Sequence, residues 1–163
     1  YKQFLLRLFL MKKNIDIFMK IKFLSKKFYE EFKNYKEILQ KENRPYLVLV
    51  VEYDGIDYAI PFRTNINHKI AFICSDIPEY KSGLDYTKAI PILEEYYLDN
   101  DSEVRIKQQE FNYLKGKEEK IKKGFKKYLK EYKKALLNPN QQRYKGILEY
   151  SSLQHFKDRI NIK

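Results

Sequence analysis

The stretch RPYLVLVVEYDGIDYAIPF, residues 44–62, limits the fold more than any other part of the chain. Tyr46 to Tyr53 is β-branched and aromatic, Asp54-Gly55 is a two-residue turn that accepts positive φ, and Ile56 to Phe62 is a return strand. This is a β-hairpin signal with a mechanism, and Pro61 falls near the end of the second strand, where a missing N–H is tolerated. A hairpin this apolar needs further strands or a helix to cover it.

The flanking sequence supplies both. KIKFL (20–24) alternates enough for a short strand, and Ser25 offers an N-cap. The helix that follows places Phe28, Phe32, Tyr35, Ile38 and Leu39 on one stripe. After the hairpin, KIAFI (69–73) reads as a third strand, residues 78–86 as a loop, and TKAIPIL (87–93) as a fourth strand with Pro91 at an edge or bulge. From Ser102 the pattern turns helical, with apolar residues at 104, 111, 114, 121, 125, 128 and 129. Gly116 and Gly124 divide or kink this helix, Pro139 ends it, and a last helix is expected from Ser151-Ser152. The sum is α+β, a small curved antiparallel sheet or partly open barrel wrapped by helices.

No linker, repeat or low-complexity tract divides the 163 residues, so residues 19–163 are read as a single domain. Residues 1–18 are read as an extension outside the core. Their apolar run is broken by Arg7, too short for a membrane span and a poor signal peptide, which leaves a short membrane-touching helix as the alternative.

Charge narrows the partners. A net charge of +11 and a pI of about 9.5 favour polyanions, nucleic acid above all, although a lysine-rich surface alone would look the same. The Lys-rich stretch 115–134 reads first as a solvated helical face and second as a phosphate-facing one. The single cysteine, Cys74, lies in an apolar run and reads as a buried thiol, which rules out a disulfide or Cys-based zinc site within one chain. His68 and His155 are too few for a His-rich metal site. Glu52, Asp54 and Asp57 flank a turn and make no acidic cluster for Mg²⁺. Neither a Walker sequence, a dinucleotide fingerprint nor G-x-S-x-G is present.

The segment IPFRTNINHKIAF (60–72) stands out chemically. Arg63, Thr64, Asn67, His68 and Lys69 bring a guanidinium, a hydroxyl, an amide, an imidazole and an ammonium to one strand end, with no carboxylate. It can be read as an ordinary polar turn. A metal-free ribonuclease has the same needs: the RNA supplies a 2′-OH nucleophile, and the protein moves protons and stabilises phosphorane charge. Functional side chains often sit where a rigid strand gives way to a loop.

The order NRPYLVLVVEYDGIDYAIPFRTNINHK, KSGLDYTKAIPI and YSSLQHF resembles the toxins of type III toxin–antitoxin systems, the ToxN, AbiQ and TenpN group, over residues 19–160. The resemblance implies an SH3-like barrel related to MazF and PemK, decorated by helices. It implies a cytoplasmic, sequence-specific, metal-independent endoribonuclease that needs no cofactor and leaves a 2′,3′-cyclic phosphate and a 5′-OH. It also implies two kinds of RNA partner, cellular substrates and an antitoxin of pseudoknot repeats that is both processed and inhibitory, assembled with the protein in a ring.

Carried over by position, the family's basic residue before the hairpin falls on Arg44, and its Pro-Leu-Thr-Ser-like segment on Pro61, Phe62, Arg63 and Thr64. Arg63 is similar to the TenpN branch; the family's downstream lysine is replaced near Ile66, which leaves Lys69 as the substitute. The implied catalytic set is Arg63, Thr64, Arg44, His68 and Lys69: the arginines for phosphorane charge, Thr64 for orientation, His68 or Lys69 for protons. Asn65, Asn67, Lys81, Lys88, Tyr86 and Tyr29 are the expected RNA contacts. The rival expectation is a non-catalytic basic module that holds RNA or DNA.

Overall fold

The hairpin forms the centre of the sheet. In the computed structural model, which describes residues 3, 5, 9, 11, 20–40, 46–75 and 78–161, strands β2 (Leu47–Tyr53) and β3 (Ile56–Arg63) pair antiparallel from Tyr53↔Ile56 to Val48↔Pro61. Asp54 and Gly55 take φ of 52° and 77°, the positive values that a two-residue turn needs to match strand twist. Most of the sequence assigned to the N-terminal extension, and Arg44, lie outside the described residues.

Strand β1 (Ile21–Leu24) pairs with β2 on one side and β7 (Leu98–Asp99) on the other. On the far side, β3 pairs first with β6 (Ile90–Pro91) and then with β5 (Gly83–Asp85), and β5 pairs with β4 (Ala71–Ile73). Pro61 sits where β3 changes partner, from Tyr58 and Ala59 on β6 to Phe62 and Arg63 on β5, so its missing N–H falls at a gap already in that ladder. The order β4-β5-β3-β2-β1-β7 leaves β4 and β7 as ends. The architecture is α+β with an open antiparallel sheet that is not closed into a barrel.

Helix α1 (Lys26–Phe32) starts as expected, with Ser25 Oγ accepting the Phe28 N–H at 3.0 Å. It stops a turn after Phe28, although the apolar spacing continues. The Gln40 amide donates to the Phe32 carbonyl at 2.8 Å, and Glu37 turns to φ 67°. That turn lets Phe28 and Phe32 pack with Tyr97 and Phe156, with ring centroids 4.7–5.6 Å apart.

The long helical region is two helices, α2 (Gln108–Leu114) and α3 (Glu118–Leu137). The break falls at Gly116, with φ 72°, and the helix runs straight through Gly124. Gly124 is there for space: a Cβ would meet the Tyr86 hydroxyl at 2.6 Å. The last helix, α4 (Lys145–Tyr150), precedes Ser151, and Ser152–His155 forms only a 3₁₀ turn. Ser152 Oγ donates to the Ala89 carbonyl at 2.6 Å, which ties this end of the chain to the segment after β5.

Two short strands fall outside the expected elements. Strands β5 and β7 are three and two residues long, too short for an alternation to register. The expected strand 87–93 shrinks to β6, because Tyr86–Lys88 coils into a 3₁₀ turn. Among the described residues, no helix is long and apolar enough to cross a membrane.

The core carries one polar irregularity. The Tyr132 ring is fully buried and its hydroxyl has no hydrogen-bond partner among the described residues. Leaving a buried hydroxyl unpaired costs about 1–3 kcal/mol. Tyr132→Phe is therefore expected to raise stability by about 1 kcal/mol, read as a higher urea midpoint; a lower midpoint would show that the hydroxyl has a partner.

Candidate functional site

Strand pairing brings the polar strand end onto a buried carboxylate. Arg63, the last residue of β3, lies opposite Gly83, and Asp85 closes β5 two residues on. Asp85 is completely buried, while the Arg63 side chain is 29% exposed. Arg63 Nη1 donates to Asp85 Oδ2 at 2.6 Å. The other oxygen, Oδ1, accepts the Thr87 N–H at 3.0 Å and the Thr87 hydroxyl at 2.6 Å. Asp85 thus caps the 3₁₀ turn and holds the arginine at once.

The 64–70 loop folds back over this carboxylate. Asn65 adopts φ 55°, Ile66 is buried, and the Ile66 N–H donates to the Lys81 carbonyl at 2.9 Å. Those constraints bring His68 Nε2 to 3.3 Å from Asp85 Oδ2. His68 Nδ1 accepts the Ile70 N–H at 3.2 Å, so Nδ1 carries no proton and Nε2 is the nitrogen that donates. Burial alone would push the Asp85 carboxyl up; hydrogen bonds from His68, Thr87 and Arg63 outweigh it and hold the group below its ordinary value. The result is an ionised, buried anchor with two basic side chains fixed to one oxygen.

Arg63 and Thr64 line an open groove of about 490 Å³. Tyr46, Phe62 and Tyr80 supply aromatic surface to it, Lys107 and Arg105 supply positive charge from the segment before α2, Arg105 being paired with Glu103 at 3.4 Å, and Glu110 is the acidic lining residue. Thr64 is exposed at the groove, as are Asn65, Asn67 and Lys81 on the surrounding loops. An arginine has five N–H donors, and the contact through Nη1 leaves others for an anion in the groove.

The other expected residues divide. Lys69 faces a second groove, on the α3 side of the sheet edge, and does not join Arg63 and Thr64. Tyr29 is half-buried and structural: its hydroxyl accepts the Tyr46 N–H at 3.0 Å and so sets the start of β2. Tyr86 and Lys88 do not stand out as the expected exposed RNA contacts: both are buried, Tyr86 at the wall of the second groove. The Tyr86 hydroxyl donates to the Ile121 carbonyl at 3.0 Å. The Lys88 ammonium is bonded to the Glu37 carboxylate and donates to the Tyr150 carbonyl at 2.8 Å, tying three distant segments together. Cys74 is buried as expected, and burial pushes its thiol up to about 12.

The residue that sequence reasoning missed is Asp85. It falls in the expected loop 78–86, because β5 is only three residues long. The available signal was Asp-x-Thr, an acceptor two residues before a hydroxyl donor, which is a local turn motif. Nothing local says that its second oxygen would meet Arg63 and His68. Among the described residues, no group of three or more His, Cys, Asp or Glu side chains is arranged to hold a metal ion. The chain matches no protein-family model, no curated protein and no solved structure.

Proposed function

We propose that this chain is an endoribonuclease toxin of the type III toxin–antitoxin class, cutting RNA without a metal and restrained by a repeat antitoxin RNA. One observation supports the reading: Arg63 and His68 converge on buried Asp85, and Arg63 with the exposed Thr64 lines a groove that also holds Arg105 and Lys107. On this reading the open sheet is a decorated, incompletely closed relative of the MazF and PemK barrel, working in the cytoplasm.

In the reaction, the 2′-oxygen forms a bond to phosphorus and loses its proton, the P–O5′ bond breaks, and O5′ takes up a proton. Arg63 meets the phosphorane charge with its free donors, and Thr64 orients the phosphate. His68 is the proton carrier on this reading: Nδ1, released from the Ile70 N–H, takes the 2′-OH proton, and the imidazolium so formed, held by Asp85, returns a proton to O5′. Lys69, on the other groove, has no part in this step.

The test is cleavage by the purified protein in excess chelator, with the new ends identified. Expected are 5′-OH and 2′,3′-cyclic phosphate ends, and a loss of about 100-fold or more in Arg63→Ala, assayed where circular dichroism shows the variant folded. Cleavage that needs a divalent metal and leaves 5′-phosphates would sink the reading. In cells, growth arrest on induction should be relieved by repeat RNA transcribed but not translated.

A non-catalytic RNA-binding module is the second reading, and it has an observation of its own. His68 has both ring nitrogens engaged, one by Asp85 and one by Ile70, so neither is free to move a proton without rearrangement. RNA binding without cleavage in the same assay would decide for it.

A further inference from the structure

The second groove has a different composition from the first. It is an open trough of about 860 Å³ between edge strand β4 and helix α3. Lys120, Lys123, Lys126, Lys127 and Lys130 line its helix side, all exposed, and Lys69 lines its sheet side. The one acidic lining residue, Glu131, is taken by Lys134 at 2.7 Å, outside the lining. The charge of the trough is therefore close to that of its lysines alone.

Helix geometry arranges them. Lys120, Lys123, Lys127 and Lys130 follow i, i+3, i+7, i+10 spacing, which places them in one stripe about 15 Å long. The floor is apolar, with half-buried Phe72 on β4 beneath the lysines. A helix packed on a sheet edge usually faces it with apolar residues; here the stripe beside that face is lysine and the space is left open.

We propose that this trough is a phosphate track for a single strand of RNA, separate from the groove at Arg63 and Thr64. The inference rests on the reading of the chain as an RNA-acting protein and extends it to where the rest of the strand lies. A row of cations beside an aromatic face is the arrangement that holds single-stranded nucleic acid without reading its sequence. A bilayer does not fit, because the exposed lining residues are lysines and the apolar ones are at most half-exposed. An acidic polypeptide adding to β4 would gain only a three-residue edge, much shorter than the lysine row. Arg63 of the first groove and Lys69 of the second lie at the two ends of one short loop.

The test uses the full chain and a 2′-O-methyl oligouridine of about 16 nucleotides, which cannot be cut by 2′-OH attack. The variant carries Lys120→Gln, Lys123→Gln, Lys127→Gln and Lys130→Gln. A charge-matched control carries Lys26→Gln, Lys33→Gln, Lys133→Gln and Lys157→Gln, all exposed positions outside the trough. The trough variant is expected to bind about 100-fold more weakly than the control at physiological salt, with a log–log salt slope shallower by about 3. Affinity and slope equal to the control's would overturn the proposal. So would a poly-glutamate peptide that binds wild type as tightly and with the same lysine dependence. Lysine-dependent binding with no RNA cleavage would leave the track standing and remove the ribonuclease reading. Cleavage with lysine-independent binding would do the reverse.

Discussion

Asp85→Asn is expected to lose RNA cleavage by about 100-fold or more and to lower stability by about 3 kcal/mol. The substitution keeps an acceptor for Thr87 but places an amide where one carboxylate oxygen held both Arg63 and His68. The stability figure is at the low end for a broken buried pair, because Arg63 is partly exposed and can turn to water. pH separates this role from a general loss of fold. The Asp85 pKa lies below its ordinary value, 3.8, in the folded state, so its contribution is complete above about pH 4 and is lost as pH falls through the folded value. Wild type should therefore lose its advantage over Asp85→Asn on acidification below pH 4, with the two unfolding curves converging. A constant gap down to low pH, or wild-type cleavage by the variant, would show that Asp85 does not anchor the site as an anion.

Gly83→Ala is expected to cost about 3 kcal/mol or more and to disable the site without touching a polar group. Gly83 pairs on both sides, with Arg63 on β3 and Ile73 on β4. A Cβ there would lie 2.0 Å from the Phe72 carbonyl oxygen and 2.9 Å from the Ile73 Cα, and both are backbone atoms that no rotamer change can move. Strand β4 must separate from β5, and Asp85 shifts with it. The measurement is the urea midpoint together with hydrogen exchange at residues 71–73, which should lose protection first. Gly146→Ala is the control: its Cβ meets nothing within 4 Å, and inside α4 alanine should match or raise stability. Equal effects of the two substitutions would show that the close approach at Gly83 is not real.

The two variants mark where the sequence could be read and where it could not. The hairpin was legible because its turn chemistry, its strand residues and its register all lie within one short stretch. Ser25 was legible as a cap for the same reason, and so was the burial of Cys74. The extent of α1 was not, since the apolar stripe continues past Phe32 while Gln40 caps the Phe32 carbonyl and Phe32 packs against Tyr97 and Phe156. Lys88 and Tyr86 looked like surface groups because their types usually are; Glu37 and Tyr150 for one, and Gly124 and Ile121 for the other, come from far along the chain.

Sequence alone determined the central hairpin, the α+β class, the excess of positive charge and the chemical types gathered at residues 63–69. Those are local or additive properties. Tertiary structure alone decided that Arg63 and His68 share one buried carboxylate, that Lys69 faces away from them, and that the α3 lysines line a trough and not merely a solvated face. Each of these depends on a short strand, β4 or β5, whose place is set by pairing with residues 10 to 22 positions away or by a helix further still, and such pairings leave no period in the sequence.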